Sequence, residues 1–342
     1  MKKLLWIDLI KVFATFLIVM QHSISYSFTT LAVDSPDWKL INFLFMISRT
    51  GVPIFVMCSG TGMLSRERSI REIWRESIAG LLKVYIGWMA VFGIKDVVQI
   101  WINGENATLR VMVNAFLKCI LFGKYHTWFI FMLLGLYTVT PFLYLIVQNK
   151  ELLRYFLLLS ILFTLLVPIL SGIDGLSRIN NVIESVHMQF VVGYPLYFLT
   201  GYYICRCMDQ KWEKLAEILF LAAAFAAFAV STAVSERTGT ASQDVYTPLS
   251  VCGYLMSGAL MAVFKKYGRE ERQSAVVNKA AALSKYGIAV YLLHVLFVEL
   301  WTKQGGLINL LYAALIWLLS LGIGMAVYRI PVIKRVLFIQ KQ

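Results

Sequence analysis

Ten apolar segments, each long enough to cross a lipid bilayer as a helix, follow one another along this chain. The hydrocarbon core of a bilayer is about 30 Å thick, which an α-helix crosses in about 20 residues. Inside that core every backbone polar group must be hydrogen-bonded within the protein, which favours helices. We therefore predict an all-α polytopic transmembrane bundle of about ten helices, in one membrane domain covering residues 1–342. The predicted spans are 4–28, 40–64, 80–102, 126–148, 152–171, 188–206, 214–234, 246–265, 285–303 and 306–328.

The composition excludes an ordinary soluble domain. Hydrophobic residues occupy 59% of the 342 positions and charged residues 15%, against roughly 45–50% and 25% in soluble domains. The apolar run after Lys2 and Lys3 resembles a signal peptide, but residues 26–28 lack the small residues of a cleavage site. We predict that this run is retained as the first membrane helix. Residues 109–122 fit a helix that lies at the membrane interface.

The basic residues are distributed by loop, and this distribution predicts topology. The formal net charge is +13, and 22 of the 32 Lys and Arg residues lie at Lys2, Lys3 and in 65–83, 150–154, 206–214, 265–285 and 329–341. The alternate loops carry only eight. Cytoplasmic loops are the ones enriched in Lys and Arg, so both chain termini are predicted to be cytoplasmic. The basic excess therefore indicates orientation in a membrane, and no nucleic-acid partner is expected.

The five cysteines predict neither disulfides nor a metal site. Their number is odd, and most of them lie inside apolar segments. The pair in Cys205-Arg206-Cys207 lacks the second pair of ligands that a structural zinc site needs. We therefore expect no bound metal.

The first apolar segment carries three ionisable residues, Asp8, Lys11 and His22. Charged side chains inside a membrane cost at least a few kcal/mol, so those that persist usually mark function. Eleven helical steps return to within about 20° of the start, so Lys11, Thr15, Ile18 and His22 share one stripe. Histidine exchanges protons near neutral pH, which predicts His22 as a general base, although it could also be a satisfied interior residue. For Asp8 and Lys11 the alternative is a surface pair near the cytoplasmic interface.

The second apolar segment carries Arg49, Pro53 and the pair Ser59-Gly60. Arg49 is predicted near the external end of this helix, and Pro53 in its first turns, where it frees backbone groups. Ser59 and Gly60 are small residues, which predict close packing against another helix.

Five groups of residues, taken in order, resemble the motifs of one family. They are Asp8, Lys11 and His22; Arg49, Val52, Pro53, Phe55, Ser59 and Gly60; His126 to Phe129 with Tyr137 and Pro141; Gly193 to Tyr202; and Ser284 to Gly287 with Tyr291 to His294. The chain is thereby similar, over nearly its whole length, to the acyltransferase-3 family of integral-membrane O-acyltransferases. Lys11 stands where that family usually has Arg. The positive charge is kept, but Lys lacks the planar guanidinium that can donate two parallel hydrogen bonds to one anion.

The resemblance implies transfer of an acyl group, usually acetyl from cytosolic acetyl-CoA, to a hydroxyl of a cell-envelope glycan or lipid-linked saccharide. It implies a multi-pass protein of the bacterial inner membrane that modifies polysaccharide precursors, with acetyl-CoA as co-substrate. His22 would remove the hydroxyl proton, or would itself carry the acetyl group. Asp8 and Lys11 complete the expected catalytic set. The expected acyl-CoA-binding residues are Arg66, Arg68, Arg71, Arg75 and Lys83, which could equally serve topology alone.

Five further residues, with Arg49, are expected to bind the substrate. Arg49 and His126 could orient the acceptor or the thioester oxygen. The others are aromatic or imidazole side chains whose alternative role is packing: Trp128, Tyr137, Tyr291 and His294.

Two alternatives from other functional classes also fit these residues. A transporter or flippase for a small solute or lipid-linked sugar would use His22, Arg49 and Lys95-Asp96 to line a path. The membrane part of a larger sensor or racemase is disfavoured, since nothing soluble follows Gln342. Many family members carry an extracytoplasmic hydrolase-like domain that is absent here, so we expect a small or lipid-linked acceptor that reaches the bundle directly.

Overall fold

The computed structural model describes residues 4–104, 107–171, 185–268, 274–301 and 306–338. Regular secondary structure in these residues is helical throughout, which confirms the predicted all-α class. Nine stretches of this described part are long and apolar enough to cross a membrane, which identifies a multi-pass membrane protein. They are Leu5–Thr30, Pro36–Met63, Ile70–Asn103, Leu109–Gln148, Lys150–Leu170, Gln210–Thr238, Asp244–Tyr267, Ala275–Trp301 and Ile308–Tyr328.

The nine stretches coincide with nine of the ten predicted segments. The remaining segment, 188–206, contains a helix of only 13 residues, Tyr194–Arg206. Its start is set by Pro195, because proline is accommodated in a first helical turn but cannot supply a backbone donor further in. Gly193, the residue before this helix, has a φ of 86°, which a residue with a side chain rarely adopts.

The contacts divide the chain into two compact units. The first comprises Met1–Glu67 and Phe142–Leu321. Its helices are α1 (Leu5–Thr30), α2 (Pro36–Ser48), α3 (Gly51–Met63), the last residues of α7 (Trp128–Gln148), α8 (Lys150–Ile161), α9 (Val167–Ser171), α10 (Tyr194–Arg206), α11 (Glu213–Thr238), α12 (Val251–Tyr267), α13 (Ala275–Ala282), α14 (Gly287–Trp301) and most of α15 (Ile308–Tyr328). A π-helical segment, Leu162–Leu166, joins α8 to α9, and 3-10 turns lie at Gln210–Trp212, Asp244–Tyr246 and Leu283–Tyr286.

Helix α1 lies at the centre of the first unit, where it contacts α2, α3, α12, α13 and α14. A second close pair is α3 with α10. A Cβ on Gly60 would collide with the carbonyl oxygen of Phe198, and one on Gly201 would collide with that of Met57. These two glycines let the backbones touch, so the close packing predicted at Ser59-Gly60 is confirmed.

The second unit comprises Arg68–Pro141 and Gly322–Gln342. Its helices are α4 (Ile70–Glu72), the π-helical segment Ile73–Ile78, α5 (Ala79–Asn103), α6 (Leu109–Phe122), a 3-10 turn (Tyr125–Thr127), the first part of α7, the end of α15 and α16 (Pro331–Leu337). Helix α5 packs against α6 and α16. Most of α6 is exposed, with Cys119 as its buried residue, and its position at the membrane interface stays a prediction.

Candidate functional site

The polar stripe of the first helix exists as predicted, because α1 is unbroken from Leu5 to Thr30. At its start, Asp8 is only 5% exposed, and the Ser284 hydroxyl donates to its Oδ1 at 2.8 Å. Asp8 and Lys11 both lie close enough to Cys58 to act on its thiol electrostatically. Asp8 therefore faces the interior of the first unit, at the turn before α14, whereas Lys11 is half-buried.

The middle of the stripe is packed. Thr15 is 3% exposed and accepts a hydrogen bond from Trp317 Nε1 at 2.9 Å. Gly287 approaches the Thr15 methyl group and the Phe55 ring so closely that an added Cβ would touch both. This packing holds α1 against α3, α14 and α15 between the Lys11 end and the His22 end.

His22 lies against a second histidine, His294 of α14, with ring centroids 5.2 Å apart. His22 is half-buried, whereas His294 is completely buried. The His294 Nδ1 lies 3.2 Å from the carbonyl oxygen of Val290, one turn earlier in the same helix. The Tyr291 ring is 6.1 Å from the His294 ring. Two imidazoles from opposite ends of the sequence therefore meet inside the membrane-spanning part of the first unit.

Arg49 lies deeper than the sequence predicts. The predicted single helix is two helices, α2 from Pro36 and α3 from Gly51, so Pro53 lies in a first turn as predicted. Arg49, which was predicted near the external end, instead follows the last residue of α2. Ser35 caps the start of α2 by accepting from the backbone N–H of Trp38 at 3.1 Å, and Pro36 suits the first turn. Arg49 consequently falls at the junction of α2 and α3, inside the span Pro36–Met63.

The surroundings of Arg49 leave its charge available to a ligand. Its guanidinium lies 5.9 Å from the Phe45 ring centroid and acts electrostatically on His22, Tyr194 and Tyr246. Its buried Nε has no hydrogen-bond partner within the described ranges. A half-buried guanidinium beside an imidazole can stabilise negative charge that develops on a reacting oxygen.

The substrate residues predicted from the fourth segment all belong to the second unit. His126 is 2% exposed and packs between the rings of Phe92 and Tyr125, at centroid distances of 5.6 and 5.4 Å. Trp128 is exposed and Tyr137 is half-buried on α7. These three residues thus share one stretch of the second unit, whereas Arg49, Tyr291 and His294 belong to the first.

The basic segment predicted to bind acyl-CoA surrounds the start of the helix that continues into α5. Ser69 caps α4 by accepting from the Glu72 N–H, and Arg68 forms an ion pair with Glu72 at 3.1 Å. Arg71 and Arg75, one turn apart, are exposed, and so is Lys83. Arg66, also exposed, is the member that belongs to the first unit. Arg71, Arg75 and Lys83 can therefore reach a soluble anion without breaking an internal contact that the structure shows.

One of the charges that favoured a transporter, that of Asp96, has a local structural explanation. Lys124 Nζ lies 2.6 Å from Asp96 Oδ2, which ties the turn before α7 to α5 within the second unit. A pair of this kind offsets the cost of placing Asp96 in an apolar helix.

Sequence reasoning missed Ser284, Tyr194 and Tyr246 as neighbours of the predicted polar residues. Ser284 and Tyr194 do lie in the quoted motifs, so their presence there was the available signal. Tyr246 had no such signal. It donates to Asn42 Oδ1 at 2.7 Å, a contact between residues 204 positions apart.

Comparison with known proteins gives one finding. The family model described as an acyltransferase domain matches residues 4–329, essentially the whole chain. No curated protein and no solved structure matches.

Proposed function

Because this chain belongs to the acyltransferase-3 family, it is a membrane acyltransferase, and we propose that it transfers acetyl from cytosolic acetyl-CoA to a hydroxyl of an envelope saccharide or lipid-linked glycan precursor. The proposal includes a location in the bacterial inner membrane. The observation that supports it best is the half-buried His22, which lies beside the Arg49 cation and the His294 ring. An imidazole and a guanidinium at one place provide a proton acceptor and a stabiliser of negative charge.

In the proposed reaction, the hydroxyl oxygen of the acceptor bonds to the thioester carbonyl carbon. His22 takes the hydroxyl proton as this bond forms, because a neutral sugar hydroxyl is a poor nucleophile. The carbon–sulfur bond then breaks, and the proton passes from His22 to the CoA thiolate. Arg49 stabilises the oxyanion of the tetrahedral intermediate or orients the acceptor.

A covalent route uses the same residue. His22 attacks the thioester first, releases CoA and then passes the acetyl group to the acceptor. Ping-pong kinetics, in which CoA is released before the acceptor binds, would distinguish this route from direct transfer.

The donor is expected to bind through its phosphates. Arg71, Arg75 and Lys83 are exposed cations on one continuous helical stretch, and Arg66 and Arg68 precede them. Guanidinium groups bind phosphate bidentately, which suits them to a nucleotide carrying several phosphates. Lys11 is proposed to contact the donor, and His126, Trp128, Tyr137 and Tyr291 to contribute to acceptor binding.

The test is incubation of membranes containing this chain with radiolabelled acetyl-CoA. Label is expected in glycan or glycolipid for the wild type and for His187→Asn, a change at an exposed histidine. His22→Ala membranes are expected to leave the label in acetyl-CoA. A transporter would move its solute without forming a labelled covalent product, so absence of label in every fraction of the wild type contradicts the proposal.

A further inference from the structure

The buried ring of His294 lies against the proposed base, His22, with ring centroids 5.2 Å apart. None of its side chain is exposed, while the neighbouring His22 is half-buried. The sequence prediction assigned His294 to substrate binding. Because its ring contacts that of His22, we expect His294 to affect the reaction by acting on His22.

The contact with Val290 determines which nitrogen of His294 carries a proton. The Nδ1 lies 3.2 Å from the Val290 carbonyl oxygen. A carbonyl oxygen only accepts hydrogen bonds, so Nδ1 must be the donor. In a neutral imidazole the other nitrogen, Nε2, then carries a lone pair and can accept.

When His22 takes a proton, its ring becomes positively charged, and its surroundings have to stabilise that charge. Arg49 acts on His22 electrostatically, and a nearby cation repels the positive charge that the protonated ring acquires. A lone pair on an adjacent ring counteracts this repulsion without adding a buried charge. The rings of His22 and His294 are in contact, with centroids 5.2 Å apart and planes tilted by 39°.

We propose that His294 is a positioning residue for His22: its Nδ1 is anchored on the Val290 carbonyl, its ring packs against the His22 ring, and its Nε2 accepts a hydrogen bond from His22 when that ring is protonated. This role resembles that of the residue that orients a catalytic histidine in other enzymes, here filled by a neutral imidazole. The inference rests on the proposed function of His22 as the base.

The first test measures the protonated nitrogen directly and needs no activity. The chain has four histidines, so full-length protein labelled with nitrogen-15 histidine gives four rings to assign. The ring signal missing from His294→Gln protein is expected to show a protonated Nδ1 and an unprotonated Nε2. A ring protonated at Nε2, or at both nitrogens, overturns the proposal. If His294→Gln does not fold, the signal is assigned by elimination with His22→Ala, His126→Gln and His187→Asn.

The second test separates positioning from acceptor binding. His294→Leu is expected to lower kcat by roughly tenfold or more, with KM for both substrates within about twofold of wild type. His294→Gln should recover part of the lost kcat, because its amide oxygen can accept near the position of Nε2. A raised acceptor KM at unchanged kcat overturns the proposal and restores His294 as a binding residue. A wild-type protein without acetyl transfer contradicts the proposed function alone, since the nitrogen measurement still decides the anchoring of His294.

Discussion

The Ser284 hydroxyl donates a 2.8 Å hydrogen bond to the Asp8 carboxylate, and so ties the first turns of α1 to the 3-10 turn before α14. Hydrogen bonds to charged groups contribute about 1.5–3 kcal/mol, and a buried acceptor that loses its partner is destabilised further. Ser284→Ala is therefore expected to lower the Tm measured in detergent. Ser65→Ala removes a hydroxyl whose bond is exposed, and it is the matched control. Equal Tm values for the two variants would show that the Asp8 contact contributes nothing to stability.

His22 is predicted to be essential for chemistry and dispensable for folding. His22→Ala should lower kcat by at least about a hundredfold, because general base catalysis contributes about 10²–10⁴-fold. Expression, membrane insertion and Tm should stay close to wild type, since His22 is only half-buried. The measurement is initial-rate kinetics on purified protein, with His187→Asn as control. A folded His22→Ala protein with a near wild-type rate excludes this assignment, and His126 then becomes the next candidate base.

Lys11 is predicted to act on the donor and not on the acceptor. Lys11→Ala should raise KM for acetyl-CoA, whereas His22→Ala should leave donor binding nearly unchanged. Lys11→Arg should preserve donor affinity, since it keeps the positive charge and supplies the guanidinium group that the family usually has at this position. Equilibrium binding of a non-transferable acetyl-CoA analogue provides the measurement. Unchanged donor affinity in Lys11→Ala would contradict this division of roles.

Arg71 and Arg75 offer a sharper test of the donor site than the whole basic segment. Both are exposed, whereas Arg68 is already paired with Glu72. The double variant Arg71→Glu/Arg75→Glu should raise KM for acetyl-CoA by roughly tenfold or more, with the acceptor KM unchanged. Arg68→Gln is expected to change donor KM less. Unaltered donor kinetics in an inserted double variant would leave these residues with a topological role only.

The orientation is predicted from the basic loops. A reporter fused after Gln342 should read cytoplasmic, and one inserted between Gly239 and Ser242 should read external. The insertion point follows α11, which ends at Thr238, so it does not interrupt a helix. Reporter activity and protease accessibility in intact cells provide the measurement. The reverse pattern would overturn the orientation and with it the cytoplasmic placement of the donor site.

The transmembrane class, nine of the spans and the stripe that joins Lys11 to His22 were predictable from the sequence. Each depends on interactions within one segment, namely the length of an apolar run and the helical repeat of 3.6 residues. The motif order also predicted the family that the comparison shows. Boundaries were predicted less well, because the polar Asp37 and Lys39 concealed the earlier start of α2 at Pro36.

Only the tertiary structure decided which of the predicted residues meet. His22, Arg49 and His294 share one environment of the first unit, while His126 packs between Phe92 and Tyr125 in the second. Asp8 accepts a hydrogen bond from Ser284, which lies 276 positions later in the sequence. Hydropathy and periodicity describe how a helix faces its surroundings, but they carry no information on which neighbour it faces. That choice depends on the complementary packing of whole helices, as at Gly60 and Gly201, where the absence of two side chains lets α3 and α10 touch.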